Sequence, residues 1–308
     1  MTQAPATSVT SSREEVPIFG TEENRAKLMA IYDEALRHWP VPFETFFVAT
    51  RYGKTHVIAS GDPASPPLVI THPAAVGGFV WSSIIAPLSE KHRVYALDTI
   101  GDFGRSELGD PDRYPKKGRD YSAWLDDVYE KLEITQADVV AGSMGGWIAM
   151  NHAIYAPDRV RRLVLLGPMG LPPWRATLAV LIPFAWYVMR PTEAKFDRII
   201  FRSLGEDERV NREFRPWMRL MGKGKARVGQ PIRMPGRKLR TIKARTLVFL
   251  GGKDGLVGSV GAAAKRARNI PSCEIEILPQ AGHIMSVDEP EFVGERIVNF
   301  LEAEKGWR

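Results

Sequence analysis

The 308-residue chain has one cysteine, Cys273, so an internal disulfide is excluded. A lone thiol fits a reducing compartment, and the expected location is cytoplasmic. Its histidines, His38, His56, His72, His92, His152 and His283, never take a metal-ligand spacing such as H-E-x-x-H. No metal site is expected from them. A phosphate-cradling loop is missing as well. Gly251-Gly252-Lys253 has neither the G-x-x-x-x-G-K-[ST] spacing nor the following hydroxyl residue, and no cofactor is expected. Met1 to Ser12 is rich in Thr, Ser, Ala and Pro without an apolar core, which argues against a secretory signal. The longest apolar run, Ala176 to Met189, is interrupted by Pro183. It falls short of the roughly 20 residues of a spanning helix and reads as a buried or pocket-facing helix. No integral membrane segment and no solenoid repeat is expected.

What is present is unevenly charged. Between Arg190 and Arg245 there are 17 Lys or Arg against six Asp or Glu, which leaves the rest of the chain slightly acidic. Such a stretch attracts anions or simply forms a solvated face. It has no interleaved aromatic platform, so nucleic-acid binding is not expected.

One stretch organises the remainder. Val139-Val140-Ala141 is a short apolar run that leads through Gly142 into Ser143, and Gly145-Gly146-Trp147-Ile148-Ala149-Met150 begins a helical pattern. A strand turning abruptly into a helix strains the residue at the turn and needs small neighbours. It also holds the Ser143 hydroxyl at a helix N-terminus, where developing negative charge is favoured.

Around this turn, strands and helices alternate. Thr21 to Trp39 reads as an amphipathic helix capped by Thr21 and stopped by Pro40 and Pro42. Thr45 to Thr50 and His56 to Ala59 read as a hairpin with Arg51-Tyr52-Gly53-Lys54 as its turn. Strands are expected at Leu68–Thr71, Arg93–Leu97, Val139–Ala141, Leu163–Leu166, Thr246–Leu250 and Glu274–Leu278. Helices are expected at Gly78–Leu88, Tyr121–Leu132, Gly145–Tyr155, Val260–Arg268 and Glu291–Glu304. A hairpin followed by βα units gives an α/β fold, an eight-stranded, mostly parallel sheet with helices on both faces. Unbroken Val/Ile/Leu runs are what burial on both faces requires.

Ligands in such sheets bind beyond the carboxyl ends of the strands. Beyond Leu250 lies Asp254, and beyond Leu278 lies His283. The chain order Ser143, Asp254, His283 supplies a hydroxyl, a carboxylate and an imidazole at three strand ends. A serine needs an imidazole to take its proton, and the imidazole needs a carboxylate to fix its tautomer. Taken singly, each residue also suits an ordinary loop or turn, and the neighbouring acid Asp288 reads as the cap of the last helix.

With these motifs the chain resembles the α/β-hydrolase superfamily, and within it the carboxylesterase-like serine hydrolases. The likeness spans about Phe43 to Phe300 and rests on His72-Pro73, the Gly101 to Ser106 loop, the Ser143 turn and the Asp254/His283 pair. It implies Ser143 as nucleophile, Asp254 as acid, His283 as base, and the Ala74 and Met144 N–H groups as an oxyanion hole. Two departures stand out. Ala141 replaces the usual first glycine of the turn, and Pro73 replaces the glycine that usually follows the histidine. Asp102, in the loop after Leu97, is read as structural. Serine at the turn argues against the dehalogenase and epoxide hydrolase branches, which use aspartate there.

The implied layout is a disordered tail (1–20), a core (21–169 and 244–308) and a helical cap (170–243). The first half of the cap is apolar and aromatic, and Leu181, Phe184 and Trp186, with His72 beside the turn, are the expected substrate-binding residues. The expected partner is a small ester with an apolar acyl or alcohol group. Two alternatives stay open. A carbon–carbon bond hydrolase of the meta-cleavage type often carries Ser-Met-Gly-Gly at the turn, although Ile284 stands where that group usually has an aromatic residue. A receptor on the same fold would keep the triad without turnover.

Overall fold

Strands that read as unbroken Val, Ile and Leu runs occupy the middle of the sheet, where helices cover both faces. The computed structural model describes residues 18–171, 208–256 and 258–303. Among them nine strands form one sheet: β1 (Phe43–Thr50), β2 (Gly53–Ser60), β3 (Pro67–Thr71), β4 (Arg93–Leu97), β5 (Glu107–Leu108), β6 (Ala137–Gly142), β7 (Val160–Leu166), β8 (Arg245–Gly251) and β9 (Cys273–Leu278). Their order is β1-β2-β4-β3-β6-β7-β8-β9, with β5 paired to β2. From β4 to β9 all neighbours are parallel, and β2 runs antiparallel to β1, β4 and β5. Every residue of β6 is buried, whereas β1 and β9 at the two edges are mostly half-buried or exposed.

Three local expectations need correction. The sheet has nine strands among the described residues, not eight, because Glu107 and Leu108 pair with Lys54 and Gly53. Two residues are too few to leave a periodic signal. The expected helix from Gly78 is a 3-10 turn (Gly78–Ser83) followed by α2 (Ile85–Ser89), α1 being Glu22–Arg37. Gly78 donates its N–H to Asp98 at 2.6 Å, which pins the start of the segment to the end of β4. The tail expected to be disordered reaches residue 20, yet its residues 18–20 are packed against the fold. Ile18 and Phe19 are buried, and Lys225 donates its N–H to the Ile18 carbonyl at 2.7 Å. Two adjacent large apolar side chains find a surface to cover.

Thr21 caps α1 as expected, its hydroxyl oxygen accepting the Asn24 N–H at 3.1 Å. The other helices that matter for the site are α3 (Gly118–Lys131), α4 (Ser143–Tyr155), α5 (Glu208–Met221), α6 (Val260–Ala267) and α7 (Pro290–Glu302). One apolar core lies on each face of the sheet. Leu28, Tyr32, Trp81 and Phe300 belong to one, and Trp124, Trp147, Ile148 and Leu250 to the other. No helix among the described residues is long and apolar enough to cross a membrane.

Candidate active site

Ser143 directly follows β6 and begins α4, with φ of 49°, in the left-handed region that a residue with a Cβ rarely adopts. The neighbours explain how the chain tolerates this. A Cβ on Gly145 would lie 2.7 Å from the Thr71 carbonyl carbon and 2.8 Å from the His72 oxygen. One on Gly146 would lie 2.7 Å from Pro168 Cβ. Gly145 is demanded by close approach of backbone and Gly146 by the Pro168 ring, as the strand–turn–helix reading required. The first N–H groups of a helix have no intrahelical partner, so the Met144 N–H is available at the helix mouth.

Asp254 and His283 meet. His283 Nδ1 lies 2.8 Å from Asp254 Oδ2, and both side chains are buried. The loops beyond β8 and β9 that carry them are joined by backbone bonds, Gly252 N–H to Leu278 O at 2.7 Å and Lys253 N–H to Ala281 O at 2.9 Å. Asp254 Oδ1 also accepts the Leu256 N–H at 2.8 Å. A carboxylate on Nδ1 keeps that nitrogen protonated and leaves Nε2 as the basic atom. Nε2 is buried and has no hydrogen-bond partner among the described residues.

A short loop after β7 joins this pair to the serine turn. Gly167 has φ of 51°, and a Cβ there would sit 3.2 Å from Asp254 Oδ2 and 3.4 Å from His283 Cε1. Two residues on, Met169 donates its N–H to the Ser143 carbonyl at 2.9 Å. Gly167 was not legible as a site residue. A glycine directly after a predicted strand end was the only available signal.

The loop after β3 lies against the turn, and Gly145 donates its N–H to the His72 carbonyl at 3.2 Å. His72, expected to bind substrate, is fully buried with both ring nitrogens engaged by backbone. Nε2 accepts the Thr99 N–H at 2.8 Å, so Nδ1 carries the proton and donates to Pro73 O at 2.6 Å. The ring thus braces the loop and has no polar atom left for a ligand. The same bond bears on the departure at Pro73. With the Pro73 carbonyl tied to the ring, the N–H of Ala74 in the same peptide plane points the opposite way. Ala74 is exposed, and its N–H has no partner among the described residues.

Two aspartates after β4 complete the support. Asp102 accepts the Ala75 N–H, at 2.9 Å to Oδ2, and the Phe103 N–H at 2.9 Å. Burial pushes its pKa up from the ordinary carboxylate value. Asp98 collects the Tyr32 hydroxyl, His56 Nδ1 and the N–H groups of Gly78 and Arg105, at 2.6–3.0 Å. Burial would raise its pKa, but hydrogen bonding and charge from His56 outweigh that and hold the carboxyl below the ordinary value. Asp288 does not cap the last helix as expected. Glu289 occupies that position without a side-chain bond, and Asp288 Oδ2 accepts the Gly282 N–H at 2.7 Å, bracing the His283 loop. The one-turn helix Met285–Asp288, not foreseen in the sequence, brings it there. Leu181, Phe184 and Trp186 lie outside the described residues.

A strained serine at a helix mouth, a buried imidazole–carboxylate pair and a braced loop thus lie beyond the carboxyl ends of the inner strands. The sequence profile of the Alpha/beta hydrolase family matches residues 68–296. The chain belongs to the α/β-hydrolase family. The resemblance drawn from its motifs therefore holds. Among curated proteins, this hydrolase is 30% identical over 295 residues to the uncharacterized carboxylesterase nap of Bacillus subtilis, covering 92% of this chain and 95% of that one. It is 30% identical over 265 residues to a 2-hydroxymuconate semialdehyde hydrolase of Pseudomonas putida, covering 80% and 85%. Among solved structures, the naproxen esterase of Bacillus subtilis superposes with a TM-score of 0.80 at 27% identity, covering 91% of this chain and 99% of that one.

Proposed function

We propose that this α/β-hydrolase is a serine carboxylesterase working through an acyl-enzyme. The observation that carries the reading is the His283–Asp254 pair at 2.8 Å with Nε2 buried and without a partner among the described residues, in a chain whose Ser143 is held at φ of 49°. Ser143 Oγ attacks the ester carbonyl carbon while His283 Nε2 takes its proton. The carbonyl oxygen becomes an oxyanion facing the Ala74 and Met144 N–H groups. His283 then protonates the departing alcohol, and the acyl group stays on Ser143. Water attacks that ester and gives a proton to His283, which passes it to Ser143 Oγ as the acid is released. The carboxylesterase and esterase relatives, aligned over nearly their whole length, support esters as the substrate class.

Residues 170–243 are proposed as a cap over this site. Its apolar first half, with Leu181, Phe184 and Trp186, supports small esters with an apolar acyl or alcohol group as substrates. The single cysteine supports a reducing, cytoplasmic location. A panel of p-nitrophenyl esters of increasing chain length tests the reading. Each buried methylene is worth about 0.8 kcal/mol, so kcat/KM should rise roughly three- to fourfold per carbon until the pocket is full. A flat profile would remove the apolar pocket. A second reading, hydrolysis of a carbon–carbon bond, is favoured by the Ser143-Met144-Gly145-Gly146 turn and the Pseudomonas putida relative. Turnover of a vinylogous 1,5-diketone but of no ester would select it.

A further inference from the structure

Trp217 lies far from the strand ends in sequence, on α5 between β7 and β8, yet it reaches the loop after β3. Its Nε1–H donates to the Ala75 carbonyl at 2.7 Å, and the side chain is fully buried. The indole is clamped edge-on by Phe79, with ring centroids 5.0 Å apart, and lies 6.4 Å from the Tyr32 ring. Its target is unusual. Ala75 has φ of 67°, a left-handed conformation that an alanine adopts only where its surroundings over-determine it. Two groups hold it there from opposite ends. Asp102 accepts the Ala75 N–H at 2.9 Å, and Trp217 donates to the Ala75 carbonyl. The Ala74 N–H assigned above to the oxyanion lies in the Pro73–Ala74 peptide, one before the peptide that Asp102 holds and two before the one that Trp217 holds.

We infer that Trp217 is a positioning residue for ester hydrolysis. With Asp102 it fixes the strained backbone of Ala75 and so aims the Ala74 N–H, which makes the catalytic rate depend on how Trp217 is seated. Residues that follow α5 are bound to the core as well. Arg227 donates its N–H to Gly101 O at 2.8 Å, and Tyr121 accepts the Gly229 N–H at 3.0 Å. An oxyanion donor counts only where charge develops, so its misplacement is felt in the transition state rather than in ground-state binding. The inference rests on the esterase reading and on Ala74 as donor.

The test is Trp217→Phe, which keeps an aromatic ring against Phe79 and removes the N–H. Its kcat and KM on p-nitrophenyl butanoate are compared with its affinity for a trifluoromethyl ketone that forms a tetrahedral adduct. Loss of one neutral hydrogen bond predicts a fall in kcat of about five- to tenfold with KM little changed. Affinity for the ketone should weaken by the same factor. An unchanged kcat, a loss confined to KM, or a fall in kcat with ketone affinity intact overturns the role. Should Trp217→Phe fail to fold, Trp217→benzothienylalanine has the indole's shape with sulfur in place of N–H and is judged by the same outcomes. Ser143→Ala separates the two claims. If it retains turnover, the esterase reading falls and the inference with it. If it is inactive while Trp217→Phe matches wild type, the reading stands and the positioning role alone is overturned.

Discussion

Replacing Gly251 by alanine should cost activity without touching any reacting group. Gly251 ends β8, three residues before Asp254, and faces the loop that carries His283. A Cβ built there lies 2.7 Å from the Ala281 carbonyl oxygen and closer still to that of Gly282. Restoring an ordinary contact of 3.4 Å moves the Ala281 oxygen by about 0.7 Å and Gly282 by more. Gly282 precedes His283, and the 2.8 Å bond from Nδ1 to Asp254 Oδ2 has no slack of that size. Misplacement of a catalytic group by about 1 Å costs on the order of 10²-fold, so kcat should fall by about that factor. Overpacking should add a stability loss of about 1–3 kcal/mol. The control is Gly261→Ala, in α6, where an added Cβ meets nothing within 4 Å. It should leave kcat alone and raise stability by up to about 1 kcal/mol. Steady-state kinetics on p-nitrophenyl butanoate with urea midpoints for both variants decides the matter. A Gly251→Ala protein with wild-type kcat refutes the reasoning, because the spacing of the two loops would then not govern the imidazole.

Asp254→Asn should fold normally and lower kcat by about 10⁴, since an amide favours the wrong imidazole tautomer. Near-wild-type turnover in that variant, with a severe loss on changing Asp102 or Asp288, would move the acid elsewhere. His152 bears on stability rather than activity. Burial, reinforced by the charge of Arg159, lowers its pKa from 6.5 to about 3. The unfolded chain therefore binds a proton below pH 6.5 that the folded chain refuses until about pH 3. Its stabilisation is full above pH 6.5 and is lost as pH falls, by about 2 kcal/mol at pH 5. In His152→Gln the urea midpoint should fall less steeply between pH 6.5 and 4, and parallel curves for the two proteins would reject the assignment.

The parts of this molecule that could be read in the sequence are those whose cause is local. Unbroken apolar runs became the inner strands, and Ser143 between Gly142 and Gly145 became a strained turn because only small residues permit the crossing backbones. The Asp254–His283 contact was legible too, since parallel neighbouring strands place their following loops side by side. What escaped depends on partners distant in sequence. Asp288 looked like a helix cap because capping is the commonest local use of such an aspartate, but the return of the chain put it under Gly282. His72 lies beside the site, and only the Thr99 and Pro73 bonds show that its ring is spent on the backbone. Trp217 carries no motif, and its use comes from meeting a carbonyl 142 residues away.

The central claim is that Ser143 is the nucleophile of an esterase. Labelling with a fluorophosphonate, followed by intact mass and peptide mapping of wild type and Ser143→Ala, tests it most directly. Wild type should gain one adduct, on the peptide containing Ser143, and lose ester turnover in step with labelling. Ser143→Ala should gain none and be slower by several orders of magnitude, about 10⁶-fold where nucleophile and base act as a unit. A Ser143→Ala protein that still takes the label on another serine and hydrolyses esters at the wild-type rate would contradict the account.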